Sequence, residues 1–126
     1  MLQLNYRDAK PIYEQIKEGI RYLLLSNAIA ADEKLPSVRE LASNLAINPN
    51  TIQRAYRELE TEGYVYSKQG KGTFASATSF IHKTREQELL TVFDDVVTEL
   101  FVLDVPKEKL EQRMGNLEQG RREIDG

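Results

Sequence analysis

The chain has 126 residues, 40% of them apolar and 29% charged, with 17 basic and 20 acidic side chains and a net charge of -3. That length suits one domain, or one small domain with an appendage, and the apolar share argues against general disorder. The absence of cysteine and a single histidine, His82, exclude thiolate chemistry and a multi-histidine metal site built from one chain.

Pro11 suits the first turn of a helix, where its missing N–H is not needed. Ile12, Ile16, Ile20, Leu23 and Leu24 follow on one helical face. This helix is expected to end near Ser26 and Asn27, because Asn tolerates the left-handed conformation that closes helices. Ser37, with Glu40 three residues on, predicts a capping box in which each side chain satisfies a free backbone N–H. Val38, Leu41, Ala42 and Leu45 then recur at helical spacing over about two and a half turns.

Ile47, Asn48 and Pro49 break that pattern and open another helix, with Asn48 as cap and Pro49 at the first helical position. Ile52, Ala55, Tyr56 and Leu59 form its apolar stripe, and Gly63 is the expected C-terminal glycine. The other faces present Asn50, Thr51, Gln53, Arg54 and Arg57, polar and cationic groups of the kind that read base edges and phosphates. Arg57 has Glu60 within intrahelical ion-pair spacing, which leaves its role evenly divided between surface charge and contact.

After Gly63 the pattern becomes extended. Residues 64–66 and 73–75 are short strand candidates around the basic, glycine-rich segment 67–72, which predicts a hairpin with a cationic tip. Lys68 and Lys71 there are candidate phosphate partners. The run Gly70-Lys71-Gly72 has neither the spacing of a nucleotide-binding loop nor a helix after it. Helix, helix, turn, helix and hairpin in this order make a winged helix-turn-helix, whose second motif helix can enter the major groove.

Residues 75–79 are small and polar and read as a junction, dividing a winged-helix domain at 1–77 from a helical extension at 78–126. Residues 79–104 predict one long helix. Leu89, Phe93, Val96, Leu100 and Leu103 share a face, widened by Leu90, Val97 and Phe101. Pro106 then starts a second helix with Leu110, Met114 and Leu117 on one side; Gly115 and Gly120 weaken it, and residues 121–126 are expected to fray. Two helices cannot bury so wide an apolar face alone. It packs back onto the winged helix or pairs with a symmetry mate, and the reading favours the homodimer. His82 reads as an ordinary polar residue near a helix start, and no metal site is expected.

At the level of local sequence the chain resembles the GntR family of bacterial transcription regulators. The resemblance is carried by Pro11-Ile12-Tyr13-Glu14-Gln15-Ile16, Leu35-Pro36-Ser37-Val38-Arg39-Glu40-Leu41-Ala42, Asn48-Pro49-Asn50-Thr51-Ile52, Arg54-Ala55-Tyr56, Leu59-Glu60-Thr61-Glu62-Gly63 and Gly70-Lys71-Gly72-Thr73-Phe74. The short tail after the winged helix is similar to the short YtrA-like subfamily. The resemblance implies a repressor, often of a transporter operon and of its own gene, that binds an operator duplex. It implies DNA contacts at Arg39, at Asn48, Asn50, Thr51 and Gln53 where the recognition helix enters the groove, at Arg54 on its exposed side, and at Gln69 and Gly70 on the wing tip. Asn27 and Asp32 depart from the family by standing where it usually has glycine; both tolerate positive φ better than most residues.

A mildly acidic balance argues against DNA, but the charge is uneven. Residues 1–77 hold 10 basic and 9 acidic groups, a net +1, whereas residues 78–126 hold 7 and 11, a net -4. The expected function is therefore a non-enzymatic, dimeric regulator on a palindromic operator, with no cofactor. A winged-helix protein-interaction module that has lost DNA binding is the alternative. No clustered acid, base or nucleophile forms a catalytic motif. The two-helix tail is expected to leave little room for a ligand cavity of roughly 300 Å³ or more, so a small-molecule effector, if used, would bind between subunits or domains. No long apolar run suggests a membrane span, and the charged first twenty residues are unlike a signal peptide, which together place the protein in the cytoplasm.

Overall fold

A computed structural model describes residues 2–125, with side chains through Glu123. The order is α1 (Ile12–Leu25), α2 (Val38–Leu45), α3 (Pro49–Thr61), β1 (Val65–Lys68), β2 (Gly72–Ala75), α4 (Thr78–Val102) and α5 (Lys107–Asp125). It is a winged helix-turn-helix with a two-helix C-terminal extension, mainly α with one small hairpin. Among the described residues no helix is long and apolar enough to cross a membrane. The chain divides into two compact units, Met1–Glu86 and Gln87–Gly126, and the division falls inside α4.

The local signals act as the sequence implies. Pro11 stands one position earlier than expected, at the N-cap of α1, and its carbonyl accepts from Glu14 N and Gln15 N at 3.1 and 3.2 Å. Asn27 and Asp32 adopt φ of 63° and 64°, so the left-handed turns survive without glycine. The capping box on α2 is complete: Glu40 N donates to Ser37 Oγ at 3.0 Å and Ser37 N to Glu40 Oε1 at 3.2 Å. At α3, Asn50 N donates to Asn48 Oδ1 at 2.8 Å, with Pro49 at the first helical position. The turn between the two motif helices uses a residue that the pattern did not single out. Ala46 closes α2 in the left-handed region at φ 54°.

The hairpin is longer and tighter than the apolar pattern suggests. Tyr64 stays outside β1, the strands run to Lys68 and from Gly72, and the loop shrinks to Gln69, Gly70 and Lys71. Lys71 N closes it by donating to the Lys68 carbonyl at 2.9 Å, with Gly70 at φ 76°, a conformation that suits glycine. The segment before α2 pairs with the other edge of β2. Asp32 N donates to Ala75 O, Ala75 N to Glu33 O and Leu35 N to Thr73 O, all at 2.8–2.9 Å. This pairing satisfies backbone groups that an isolated two-stranded ribbon leaves open.

One core holds the first unit together. Ile16, Ile20 and Leu24 of α1 meet Leu41 and Ala42 of α2, Ile52, Ala55, Tyr56 and Leu59 of α3, and Tyr64, Val65 and Ala75 of the hairpin. Ile81, in the first turns of α4, is buried in the same cluster, so the junction at 75–79 is followed by chain that still belongs to this core. An apolar hollow of about 280 Å³ remains beside Leu35, Pro36 and Tyr56.

In the second unit α4 ends at Val102, Asp104 turns left-handed at φ 63°, and α5 begins after Pro106. α5 runs through Gly115 and Gly120 to Asp125 and so includes residues of the segment expected to fray. Each glycine costs a helix only about 1 kcal/mol, and strong helix formers flank both. α4 and α5 border an apolar groove of about 370 Å³ lined by Phe93, Val97, Leu100, Leu110, Met114 and Leu117 among others. The tail thus has more room than its length implied, because the two helices leave their facing apolar side chains incompletely interlocked. Phe93, Val96, Phe101, Met114 and Leu117 are exposed in the single chain, while Val97, Leu100 and Leu110 are half-buried.

Candidate nucleic-acid interface

α3 packs against α1, α2 and β1, and its burial pattern leaves one polar side outward. Asn50, Gln53, Arg54 and Arg57 are exposed and Thr51 is half-buried. Asn48 is exposed too, but its Oδ1 is committed to the helix cap. Arg39 is exposed in the first turn of α2, the turn that the capping box fixes. Lys68, Gln69, Gly70 and Lys71 are all exposed at the end of the wing. The wing itself is stiffened by the Tyr66 and Phe74 rings, stacked with centroids 5.7 Å apart and planes 21° from parallel. The Lys68 ammonium lies over both rings, 5.9 and 5.5 Å from their centroids.

Tyr56 anchors the recognition helix to the approach of α2: its hydroxyl donates to the Pro36 carbonyl at 2.7 Å. Burial, with the Glu40 carboxylate adding to it, pushes this phenol up to about 12. Tyr66 donates similarly to Asp32 at 2.7 Å, tying the wing to the segment before α2, and this bond raises its phenol above the ordinary value.

The acidic groups around α2 and α3 are all engaged by the protein. Glu40 serves the capping box, and hydrogen bonds from the Ser37 backbone and hydroxyl hold its carboxyl below the ordinary value. Glu58 accepts from Lys17 at 3.1 Å and from Arg54 Nε at 3.3 Å, and its carboxyl is lowered, chiefly by Lys17. Glu62 pairs with the same Lys17. Burial of the Lys17 ammonium works to lower its pKa, but the bonds and charges of Glu62 and Glu58 together outweigh it and raise the group. Glu60, the expected partner of Arg57, instead accepts from Ser67 Oγ of β1 at 3.2 Å. Among the described residues Arg57 is in no ion pair.

Pattern reading gave Tyr13 and Lys17 no role beside α3. The signal was present as a ladder: Tyr13, Lys17 and Arg21 are spaced by four on α1, as are Arg54 and Glu58 on α3 and Glu62 at its C-cap. Residues four apart share a helix face. Only the packing of the two helices shows that these faces meet.

The family model described as "Bacterial regulatory proteins, gntR family" matches residues 12–75, about half the chain and the whole of the helix-turn-helix and wing. The chain belongs to the GntR family. It is 46% identical over 76 residues to the HTH-type transcriptional repressor YtrA of Bacillus subtilis strain 168, a match spanning 60% of this chain and 58% of that protein. Among solved structures, a GntR family transcriptional regulator from Listeria monocytogenes superposes with a TM-score of 0.70 at 34% identity, covering 88% of this chain and 98% of the other. The DNA-binding domain of AraR, solved in complex with operator ORR3, superposes with a TM-score of 0.53 at 34% identity over 59% of this chain and 89% of that one. As a GntR member the protein has the scaffold of a transcription regulator.

Proposed function

We propose that the protein is a sequence-specific DNA-binding transcription repressor that acts as a homodimer on a palindromic operator. α3 enters the major groove, where Asn50, Thr51, Gln53 and Arg57 meet base edges and nearby phosphates. Arg39 contacts the duplex from α2, and the wing carries Lys68, Gln69, Gly70 and Lys71 to the adjacent backbone and minor groove. One observation carries this reading. Lys17 pairs with Glu58 and Glu62, Arg54 also pairs with Glu58, and the outward residues of α3 and the wing include Asn50, Gln53, Arg57, Lys68, Gln69 and Lys71. The acid excess lies in residues 78–126, at a net -4, against +1 for residues 1–77. The names of YtrA, a repressor, and of AraR, seen on an operator, support the same reading.

The apolar surface of α4 and α5 supports the dimer. Leu89, Phe93, Val96, Phe101, Met114 and Leu117 are exposed in the single chain, and exposed apolar patches of this kind mark interfaces. A two-fold partner laying the same face against it buries these side chains and presents two recognition helices to the two halves of a palindrome.

The test is a gel shift of the full chain on palindromic duplexes from its own upstream region at moderate salt, with sedimentation in parallel. Specific retardation by a dimer is expected. A chain that never distinguishes any duplex from a scrambled competitor would instead be a winged-helix protein-interaction module.

A further inference from the structure

Arg54 does not extend freely from the recognition helix. Its guanidinium carbon lies 3.6 Å from the centroid of the Tyr13 ring on α1, closer than the roughly 6 Å limit usually set for a cation–π contact. Its Nε donates to Glu58 Oε2 at 3.3 Å, and Glu58 is held in turn by Lys17 of α1 at 3.1 Å. Arg54, Glu58 and Glu62 form the stripe of α3 that faces α1. Arg54 therefore leaves α3 at the flank of the outward surface, beside α1, rather than along the middle of the groove-reading side.

We propose that Tyr13 is a positioning residue that holds the Arg54 guanidinium at the α1 edge of the recognition helix as a clamp for one DNA phosphate. The proposal rests on the DNA-binding reading above and deepens it. With one face of the plane covered by the ring and Nε committed to Glu58, the donors left for DNA are the paired terminal N–H groups. That fork matches two oxygens of one phosphate. A groove-flanking arginine meets backbone before base edges, and a guanidinium held in place beforehand loses less rotamer freedom on binding. The Tyr13 hydroxyl is engaged elsewhere, donating to Glu14 at 3.1 Å, so the π face is the part of Tyr13 that acts on Arg54.

The experiment measures affinity of the full chain for its operator and for a scrambled duplex, by fluorescence anisotropy across a salt series. The variants are Arg54→Ala, Tyr13→Leu, Tyr13→Phe and the double Tyr13→Leu/Arg54→Ala, each checked for unchanged fold by circular dichroism. Leucine keeps the apolar volume of the half-buried site and removes the π face; phenylalanine keeps the face and removes the hydroxyl. Arg54→Ala is expected to weaken both duplexes by the same several-fold factor and to flatten the salt slope by about 0.9, the value of one phosphate. Tyr13→Leu should reproduce part of that loss on both duplexes, Tyr13→Phe should recover it, and the double variant should match Arg54→Ala.

A Tyr13→Leu loss that adds fully to that of Arg54→Ala, or a Tyr13→Phe as weak as Tyr13→Leu, would overturn the positioning role. So would Tyr13→Leu binding as the wild type does. An Arg54→Ala that changes base preference would overturn the phosphate assignment. Wild-type protein that binds neither duplex would overturn the DNA-binding reading itself, and this one with it, which separates the two failures.

Discussion

The Tyr56 hydroxyl donates to the carbonyl of Pro36 across a sequence distance of 20 residues, at 2.7 Å. One bond therefore joins the middle of the recognition helix to the residue just ahead of the α2 cap. Tyr56→Phe removes the donor and keeps the buried ring. The expected cost is about 1 kcal/mol, the net worth of one such hydrogen bond, read as a lower urea midpoint with an unchanged slope. An unchanged midpoint would show that the bond exchanges evenly with water.

The same phenol predicts alkaline sensitivity. Burial and the nearby Glu40 carboxylate raise it to about 12 in the folded chain, against about 10 when unfolded. The folded state therefore holds this proton more tightly. Its contribution to stability is complete below about pH 10 and is lost as the pH rises toward about 12. A shift of about two pH units corresponds to roughly 2–3 kcal/mol at most. Stability measured from pH 8 to 12 should fall through this window in the wild type and fall less steeply in Tyr56→Phe. Parallel curves would exclude Tyr56 as the source.

Ala46→Gly should stabilise the fold. Ala46 is exposed and holds φ 54°, so its methyl group contributes left-handed strain without burial in return. Relief of roughly 1–2 kcal/mol is partly offset by the greater freedom of glycine in the unfolded chain. The net expectation is a gain of about 0.5–1 kcal/mol and a melting temperature a few degrees higher. A lower melting temperature would mean that the turn does not strain alanine.

Gly63→Ala should act in the opposite direction. Gly63 has φ +88°, and an added Cβ would meet Phe80 Cε1 at 2.6 Å. Left-handed strain and displacement of the Phe80 ring together should cost roughly 1–3 kcal/mol, seen in a thermal melt. A neutral outcome would place the α3–β1 turn among conformations that alanine accepts.

The cations of the proposed DNA surface should separate by salt dependence. Lys71→Ala should flatten the salt slope of operator binding by about 0.9 while leaving sequence preference intact. Arg39→Ala, if it contacts a base, should weaken specific binding by roughly 1–3 kcal/mol. Lys68→Ala is a less clean probe, because its ammonium also lies over the Tyr66 and Phe74 rings. Anisotropy titrations between 50 and about 200 mM salt resolve these cases; an unaltered Lys71→Ala slope would remove the wing tip from the phosphate contacts.

A charge on the tail should split the proposed dimer. Phe93→Asp or Met114→Asp in the full chain places a carboxylate on the exposed α4–α5 surface, where pairing would bury it unpartnered. Sedimentation should then report a monomer with unchanged helical content. A persistent dimer would move the interface to another surface.

Much of the scaffold was legible before any coordinates. Ser37 with Glu40, Asn48 with Pro49, and the periodic stripes of α1, α2 and α3 each encode a helix end or face within a few residues. Asn27 announced its left-handed turn by residue type, and Asp32 by standing where the family usually has glycine. Of the proposed interface, sequence marked out residues of α3 and the wing, but it left Arg57 undecided and gave Tyr13 no role there. Whether Glu60 would take Arg57 or Ser67 depended on where β1 comes to rest, and helical spacing carries no information about that.

Local chemistry by itself determined the element order, the caps and the polar side of α3, because those interactions lie within about one helical turn of their own residues. Tertiary packing alone decided the rest. It paired residues 32–35 with β2, drew Ile81 into the winged-helix core, and laid the Tyr13 ring against Arg54. It also set Lys17 between Glu58 and Glu62, so that two acids beside α3 are charge-paired; composition counts charges but does not say which of them meet.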